Sequence, residues 1–171
     1  MVYIVGEGGP RDVTSIPLAT KKGTLIPNSR RWEKPPQALK VSEDQWRALC
    51  PPARLRSLSA TYNCVGLVFA SRRTWVETDS LALILDEDGF HRVDEEKAVE
   101  PGDVAVYRNS SGEITHLGVV LEKQPDVGSG RFRFKLLSKW GAGGEYIHYS
   151  HDVPEILGGL AEFVSERRQS R

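Results

Sequence analysis

One cysteine has the position that nucleophilic chemistry requires. Cys64 directly follows Asn63, a favoured N-cap residue, so the sequence predicts that Cys64 is the first residue of a helix. Unpaired backbone N–H groups stabilise negative charge there, so a thiol in that position ionises more readily, and the thiolate is the nucleophile. Gly66 has low helix propensity, which indicates close packing behind the cysteine. A buried core cysteine accounts for these residues equally well, so a histidine elsewhere has to decide.

His116 is the best candidate for the group that accepts the thiol proton. It lies in the apolar segment 114–121, which is predicted to be a strand. A strand histidine beside a helix N-terminus can reach the thiol, and a thiolate–imidazolium pair then forms near neutral pH. Without Cys64, the simpler interpretation is an exposed or hydrogen-bonded histidine near a strand end. The spacings of the four histidines match no standard ligand pattern, so we expect neither a metal site nor a cofactor.

Charge and composition narrow the classes of partner. The chain has 171 residues with 23 basic and 23 acidic side chains, so it carries no net charge that would attract nucleic acid or an anionic membrane. No apolar run is long enough to span a bilayer, and the first residues lack the pattern of a conventional secretory signal. The two cysteines, Cys50 and Cys64, are expected to be free thiols in a reducing compartment. We therefore expect a cytoplasmic protein, or one exported by a route without a cleaved signal peptide.

The elements that must position these residues form a single domain, 1–171. Residues 1–41 are rich in Gly, Pro and basic residues and are predicted to be an irregular arm, with strands at 2–5 and 24–26 and with Trp32 as its anchor. Residues 42–171 form the predicted catalytic core. Ser42 begins a capping box, which predicts a helix over 43–50 before two prolines.

The rest of the core is predicted to alternate between short helices and strands. A turn over 54–56 leads to the Cys64 helix, which ends at the basic pair 72–73, and another helix runs from residue 81 to 88–89. Strands are predicted over 104–107, 114–121, 131–136 and 145–149, the first two as an antiparallel hairpin. A terminal helix is predicted over 156–168. The fold class is α+β, with the catalytic helix packed on a small antiparallel sheet.

Three segments, in order along the chain, carry a resemblance to a known family. Residues 62–68, Tyr-Asn-Cys-Val-Gly-Leu-Val, resemble the Tyr-Asp-Cys-Ser-Gly-Leu-Val segment of the NlpC-like cysteine peptidases, relatives of papain. Residues 101–107 resemble the family's Pro-Gly-Asp turn and strand, and residues 115–120 resemble its His-Val-Gly-Ile strand. The resemblance implies a papain-like, NlpC-type α+β fold with Cys64 as nucleophile and His116 as general base. It also implies cleavage of amide bonds, often in peptidoglycan peptides, although some relatives are acyltransferases.

The resemblance leaves the identity of the third catalytic residue open. The family usually places a polar residue, often histidine, on the strand after that of the catalytic histidine. Ser138 lies near that place, and His148 lies one strand further on. We favour His148, because an imidazole orients a second imidazole better than a hydroxyl does. The order of the strands decides between the two.

Other residues are candidates for the oxyanion hole and the substrate cleft. The oxyanion hole would use the backbone N–H of Cys64, with Tyr62 as a helper judged by its position. Trp140 is expected to line the cleft together with its neighbours Lys139 and Gly141. Asn63 and Val65 replace the family's usual Asp and Ser, which leaves the substrate preference open.

The sequence therefore predicts a hydrolase that cleaves an amide or isopeptide bond through an acyl-enzyme on Cys64. Acyl transfer or glutamine deamidation would use the same thiol and differ in the acceptor. A binding module that keeps the fold without catalysis is a third interpretation, which loss of the Cys64–His116 contact would favour. The expected partner is a peptide or peptidoglycan-derived substrate. A toxin or effector delivered by a specialised system would add an immunity or delivery protein, and a cytosolic peptidase fits equally.

Overall fold

A computed structural model describes residues 11–12 and 15–167 of the chain. Within these residues there are three α-helices, α1 (Pro36–Leu49), α2 (Cys64–Phe69) and α3 (Leu81–Glu87). The strands of the same part of the chain are β1 (Arg11–Asp12), β2 (Asn28–Arg31), β3 (Arg54–Leu58), β4 (Trp75–Val76), β5 (His91–Arg92), β6 (Val104–Arg108), β7 (Ile114–Pro125), β8 (Phe132–Lys139), β9 (Gly144–Tyr149) and β10 (Gly159–Ser165). None of the described helices has the length and apolar character needed to cross a membrane.

The fold is mixed α+β and consists mostly of antiparallel sheet. Seven of the described strands form one sheet in the order β3-β9-β8-β7-β6-β10-β5, and β1, β2 and β4 form a small second sheet. Strands β6 to β9 are consecutive neighbours, so the predicted hairpin of β6 and β7 is confirmed. Because consecutive antiparallel strands need only short connections, this part of the sheet follows directly from the turn signals between them.

The central strands are buried on both sides because their side chains alternate between two cores. On β6, Val104 and Val106 join the core that contains Cys64 and α3, whereas Ala105 and Tyr107 join a second core. Helix α2 packs on β7 and β8 from the first side. The second core is closed by residues of β8 and β10, among them Phe134, Leu136 and Phe163.

The N-terminal arm differs from its prediction. The expected strand at 2–5 lies outside the described residues, and residues 24–26 contribute only an isolated bridge between Ala19 and Leu25. The prediction that Trp32 anchors the arm is wrong, because this side chain is 66% exposed. The anchor is Asn28, whose amide bonds to the backbone of Ile16 and Ile26. A half-buried amide that satisfies several backbone groups holds an irregular segment better than one aromatic ring on its surface.

The boundaries of two helices also differ from those predicted from the sequence. Helix α1 begins at Pro36, so Ser42 lies inside it and the predicted capping box is wrong. Proline suits the first turn of a helix, where its missing N–H costs nothing, and this earlier start prevails. Helix α2 ends at Phe69 rather than at the basic pair 72–73, since Ser71 and Arg72 take positive φ angles of 49° and 66°.

Two segments form strands where a turn and a helix are predicted. Residues of β3 pair with β9, so the predicted turn at 54–56 is wrong. The predicted terminal helix at 156–168 is also wrong, because β10 pairs with both β6 and β5. In each case an open sheet edge offers backbone hydrogen bonds, and this long-range pairing outweighs the local pattern.

Candidate functional site

Asn63 caps α2 and ties the helix to the neighbouring strand β4. Its side-chain oxygen accepts hydrogen bonds from Gly66 N at 3.0 Å and from Val76 N at 3.3 Å. Its side-chain nitrogen donates to Val76 O at 2.6 Å. The predicted helix start at Cys64 is confirmed. The bond donated to Val76 O explains why an amide stands here rather than a carboxylate, because an ionised Asp has no proton to donate to a carbonyl.

Gly66 allows α2 to approach the chain behind it. A Cβ atom at this position would lie 2.0 Å from the carbonyl oxygen of Thr74 and 3.1 Å from Cβ of Tyr62. No side chain fits in that space, so the close packing predicted from the glycine is confirmed. The helix start is thereby held from two sides, by Asn63 at its cap and by Thr74 against its first turn.

Burial dominates the environment of the Cys64 thiol. The residue is 7% exposed, and burial raises the pKa of its thiol above the ordinary value. The backbone N–H groups of Leu117, Val65 and Cys64 itself, together with the positive charge of Lys139, act in the opposite direction and lower that pKa. The expectation of a readily ionised thiol is therefore wrong for this closed arrangement, because the short helix and its amides do not outweigh desolvation.

His116 lies on β7 and is buried as an uncharged ring. It is 1% exposed, and its ring centroid lies 5.4 Å from that of Tyr107. Burial, with a smaller contribution from the charge of His148, lowers the pKa of His116 to about 3. Its Nε2 atom has no hydrogen-bond partner among the described residues. The imidazole is thus neutral near pH 7 and retains an unused nitrogen.

The chain places His116 next to the residues that surround the thiol without joining the two by a hydrogen bond. Leu117, the next residue, packs in the same core as Cys64, and its backbone N–H interacts with the thiol. His116 itself lies opposite Tyr107, so its ring faces the second core on the other side of β7. Within the described residues, no hydrogen bond connects Cys64 Sγ with the His116 ring. Catalytic hydrogen bonds are often long or absent in unliganded enzymes, so the pairing stays a prediction.

Ser138 and His148 form a hydrogen-bonded pair on the two strands beyond β7. His148 Nδ1 lies 2.7 Å from the carbonyl oxygen of Tyr149, which only accepts, so Nδ1 carries the proton. His148 Nε2 then accepts from the Ser138 hydroxyl at 2.6 Å, and the same hydroxyl oxygen accepts from Trp140 Nε1 at 2.9 Å. All three side chains are buried, so contact of Ser138 or Trp140 with a substrate requires the site to open.

Strand order separates His148 from the strand of His116. Strand β8, which carries Ser138, is the neighbour of β7, and Ser138 lies opposite Gly118. Strand β9, which carries His148, pairs with β8 on its other side. His148 therefore does not lie on the strand next to His116, and the side chain that it contacts is Ser138. The roles of both as third catalytic residue remain predictions.

Tyr62 is committed to a buried carboxylate. Its hydroxyl donates to Glu145 Oε1 at 2.6 Å, and burial together with this carboxylate raises the pKa of Tyr62 to about 12. Glu145 also binds Arg72 at 2.5 Å and Arg56. The positive φ of Arg72 belongs to the end of α2, where its backbone N–H donates to Gly66 O at 2.9 Å. A role for Tyr62 at the oxyanion hole therefore requires it to leave this carboxylate.

The sequence predicts that Lys139 lines the cleft, but it does not predict that this lysine is buried. Its side chain is completely buried, and its Nζ donates to the carbonyl oxygens of Gly141 at 2.7 Å and Gly143 at 3.0 Å. The nitrogen lies 5.2 Å from the ring centroid of Tyr62. Burial lowers the pKa of Lys139 to about 7, and the negative charges of Cys64 and Glu145 oppose this. The sequence does contain one indication of this burial. Side chains alternate between the two sides of β8, so Lys139 lies on the same side as Leu137, which contacts Tyr62.

The Pro-Gly-Asp segment has a structural role. Gly102 has a φ of 98°, and the Asp103 carboxylate accepts from the backbone N of Glu100 at 2.8 Å. Asp103 also pairs with Arg167, at 2.6 Å between Oδ2 and Nη2. The turn thereby fixes where β6 begins, and the Asp103–Arg167 pair joins this point to the end of β10. Together these contacts set the position of β6 beside β7.

A comparison with protein-family models gives one match. Residues 55–161, from β3 into β10, match a family described as a domain of unknown function (DUF7689). No curated protein and no solved structure matches the chain. The matched segment contains Cys64, His116, Ser138, Lys139 and His148. Because the match covers more than half of the chain, the protein belongs to the DUF7689 family.

Proposed function

We propose that this protein is a cysteine hydrolase with a papain-like, NlpC-type fold that cleaves an amide or peptide bond. One observation carries the proposal: Cys64 begins a capped helix that packs directly on β7, the strand of His116, with the Leu117 N–H against the thiol. A nucleophile at a helix start, a histidine on an adjacent strand and an antiparallel sheet are the parts that the resemblance to the NlpC-like peptidases requires. The capped start and the glycine behind it hold the sulfur in one place.

The reaction follows from these groups. When the site opens, the Cys64 thiol loses its proton and His116 takes one up. The Cys64 thiolate attacks the substrate carbonyl carbon, and the backbone N–H of Cys64 stabilises the oxyanion that forms. The C–N bond breaks, the amine leaves with a proton from the His116 imidazolium, and a thioester remains on Cys64. A water molecule then gives a proton to His116 and attacks the thioester, which releases the carboxylic acid product and restores the thiol.

His116 becomes an effective base only when its surroundings become more polar. Burial is the main cause of its low pKa, so opening of the site would raise this pKa toward the ordinary value of about 6.5. The buried, neutral ring with a free Nε2 is then the resting form of His116. Entry of a substrate would open the site and so raise the pKa of the ring. We expect His148 to orient His116 indirectly, through the Ser138 hydroxyl that it binds.

A cavity beside the start of β7 offers room for the substrate chain. Its volume is ≈ 700 Å³, and Ile114 and Thr115 of β7 line it together with Leu81 and Ala82 of α3. Neither Cys64 nor His116 lines this cavity, so a peptide bound there would reach the thiol only when the site opens. The mixed polar and apolar lining fits a peptide or a peptidoglycan-derived peptide, including one with an isopeptide bond.

The test is turnover of defined peptides and muropeptides, followed by mass spectrometry, with Cys64→Ala and Cys50→Ala compared. We expect hydrolysis, a gain of one water across one amide bond, in the wild type and in Cys50→Ala. We expect none in Cys64→Ala. Transfer of the acyl group to an added amine, or conversion of glutamine to glutamate, would assign the alternative reactions on the same thiol. Equal product from Cys64→Ala would contradict the proposal.

A catalytically inactive binding module is the second candidate. The observation that favours it is the closed site: Cys64 and His116 are both buried and share no hydrogen bond. In that case the wild type and Cys64→Ala would bind a peptide with equal affinity, and neither would change it. Calorimetric binding of the same peptides, run beside the turnover assay, distinguishes the two functions.

A further inference from the structure

Lys139 is a fully buried lysine without a carboxylate at salt-bridge distance among the described residues. Its two hydrogen bonds go to the carbonyl oxygens of Gly141 and Gly143. Carbonyl dipoles do not neutralise an ammonium charge, and one of its three N–H groups is left over. Burial of an unpaired charge is costly, so such a lysine is a candidate for a functional role.

The carboxylate nearest along the sheet does not supply the missing charge. Glu145 lies directly opposite Lys139 in the pairing of β8 with β9. Its two oxygens are taken by Arg72, Arg56 and the hydroxyl of Tyr62. Two arginines already balance this carboxylate, so Lys139 keeps an excess positive charge inside the protein.

That positive charge lies under the start of α2. Leu137, on the same side of β8, packs against Tyr62 and Leu67, which flank Cys64 on the chain. Lys139 is the next residue on that side and reaches the ring of Tyr62. Its charge acts on Cys64, and the Cys64 charge is the largest attraction that acts on Lys139. The charged and titratable groups that face Lys139 from the packed segments are Cys64, Tyr62, Glu145, Glu33 and Lys34.

We propose that Lys139 is the cation that balances the Cys64 thiolate, so that the ionised nucleophile is held by a lysine instead of by an imidazolium. The thiol S–H bond breaks, the sulfur keeps the electron pair, and the proton goes to solvent, while Lys139 stays an ammonium ion. This assignment rests on the proposed function and deepens it, because it gives the thiolate a counter-charge before His116 takes up a proton. Lys139 acts through the sulfur and is a positioning residue.

The test is the pH dependence of Cys64 alkylation by iodoacetamide in the Cys50→Ala protein, without any substrate. We expect Lys139→Met to shift the ionisation midpoint upward by about one unit and slow alkylation at pH 7 about tenfold. Lys139→Arg keeps the charge and should retain most of the rate. The matched control is Lys135→Met, which removes a lysine of the same strand that pairs with Glu122 at the surface. An unchanged midpoint in Lys139→Met would overturn the assignment.

A second measurement does not depend on whether Lys139→Met folds. In protein with ¹³C-labelled lysine, the Lys139 Cε signal is titrated in the Cys50→Ala protein and in the same protein with Cys64→Ser. Loss of the thiolate should lower the Lys139 midpoint, because the ammonium loses its counter-charge. An equal midpoint in the two proteins would overturn the assignment. Failure of the proposed function appears elsewhere, as absence of turnover with the thiol–lysine coupling intact.

Discussion

The two cysteines lie in regions of opposite character. Cys50 packs against Trp140 and Tyr146, and its thiol lies 3.3 Å from the carbonyl oxygen of Asp152, to which it donates a weak hydrogen bond. Cys64 lies among backbone N–H groups, with the charge of Lys139 acting on it and His116 following on the adjacent strand. Both thiols are buried and burial raises the pKa of each.

Burial alone therefore does not distinguish an inert cysteine from a candidate nucleophile; the groups around each thiol do. Around Cys50 the aromatic rings, the Asp152 carbonyl and the Asp152 charge favour the neutral thiol, and one backbone N–H, that of Ala53, opposes them. Around Cys64 the partners are donors and a cation, which favour the thiolate once desolvation is relieved. The charge of Lys139 lowers the pKa of Cys64, whereas the charge of Asp152 raises that of Cys50.

The largest effect on stability is expected from His116. Its folded pKa of about 3 lies below its unfolded value of 6.5, so below pH 6.5 the unfolded chain binds a proton that the folded protein does not. The contribution of His116 to the unfolding free energy is complete above pH 6.5 and falls as the pH drops toward 3, by about 5 kcal/mol in all. Urea unfolding of wild type and His116→Gln from pH 7 to pH 4 measures this.

The control for that prediction is His151→Gln, which removes an exposed imidazole. We expect His116→Gln to flatten the loss of stability at low pH and His151→Gln to leave it unchanged. If His116→Gln keeps the full acid sensitivity of the wild type, the ring is not buried in its neutral form.

The next effect concerns the packing that holds Cys64. Gly66→Ala would bring a methyl group to 2.0 Å from Thr74 O, so backbone must move. We expect a loss of roughly 2–3 kcal/mol in the unfolding free energy. Gly128→Ala, where the nearest atom lies 3.9 Å away, is the matched control and should change the stability little. Denaturant midpoints at constant slope compare them, and equal values would show that α2 has room behind it.

A smaller effect distinguishes two buried tyrosines. Tyr62→Phe removes the hydroxyl bonded to Glu145 on the Cys64 side, and we expect a loss of roughly 1.5–3 kcal/mol, because that partner is charged. Tyr146, on the Cys50 side, has a buried hydroxyl without a partner in the described residues. Tyr146→Phe should therefore be neutral or stabilising. Thermal unfolding of both variants measures the difference, and a larger loss for Tyr146→Phe would reverse the comparison.

The smallest effect is expected from the helix cap. Asn63→Asp keeps the acceptor for Gly66 but loses the donor to Val76 O, so we expect a loss of about 1 kcal/mol in stability. The side-chain bond fixes β4 against α2, and the same variant should speed amide hydrogen exchange near Val76. Unchanged exchange there would mean that the amide donor is dispensable.

Features with a local cause were predictable from the sequence. Asn63 marks the start of α2 because a cap acts on the first turn that follows it, and Gly66 signals an approach that excludes a side chain. The turn at Gly102 marks the start of β6 and the turn around Gly112 joins β6 to β7, so their hairpin could be predicted. The candidate nucleophile and the candidate base follow from residue types at these positions.

Tertiary structure alone decided the features that depend on distant partners. Residues of β10 form a strand because the edge of β6 is open to them, and His148 bonds Ser138 because β9 pairs with β8. The sign of the Cys64 pKa shift and the unbalanced charge of Lys139 depend on how completely other segments exclude water. Burial and strand order are sums over contacts far apart in the chain, and no local pattern of residues contains them.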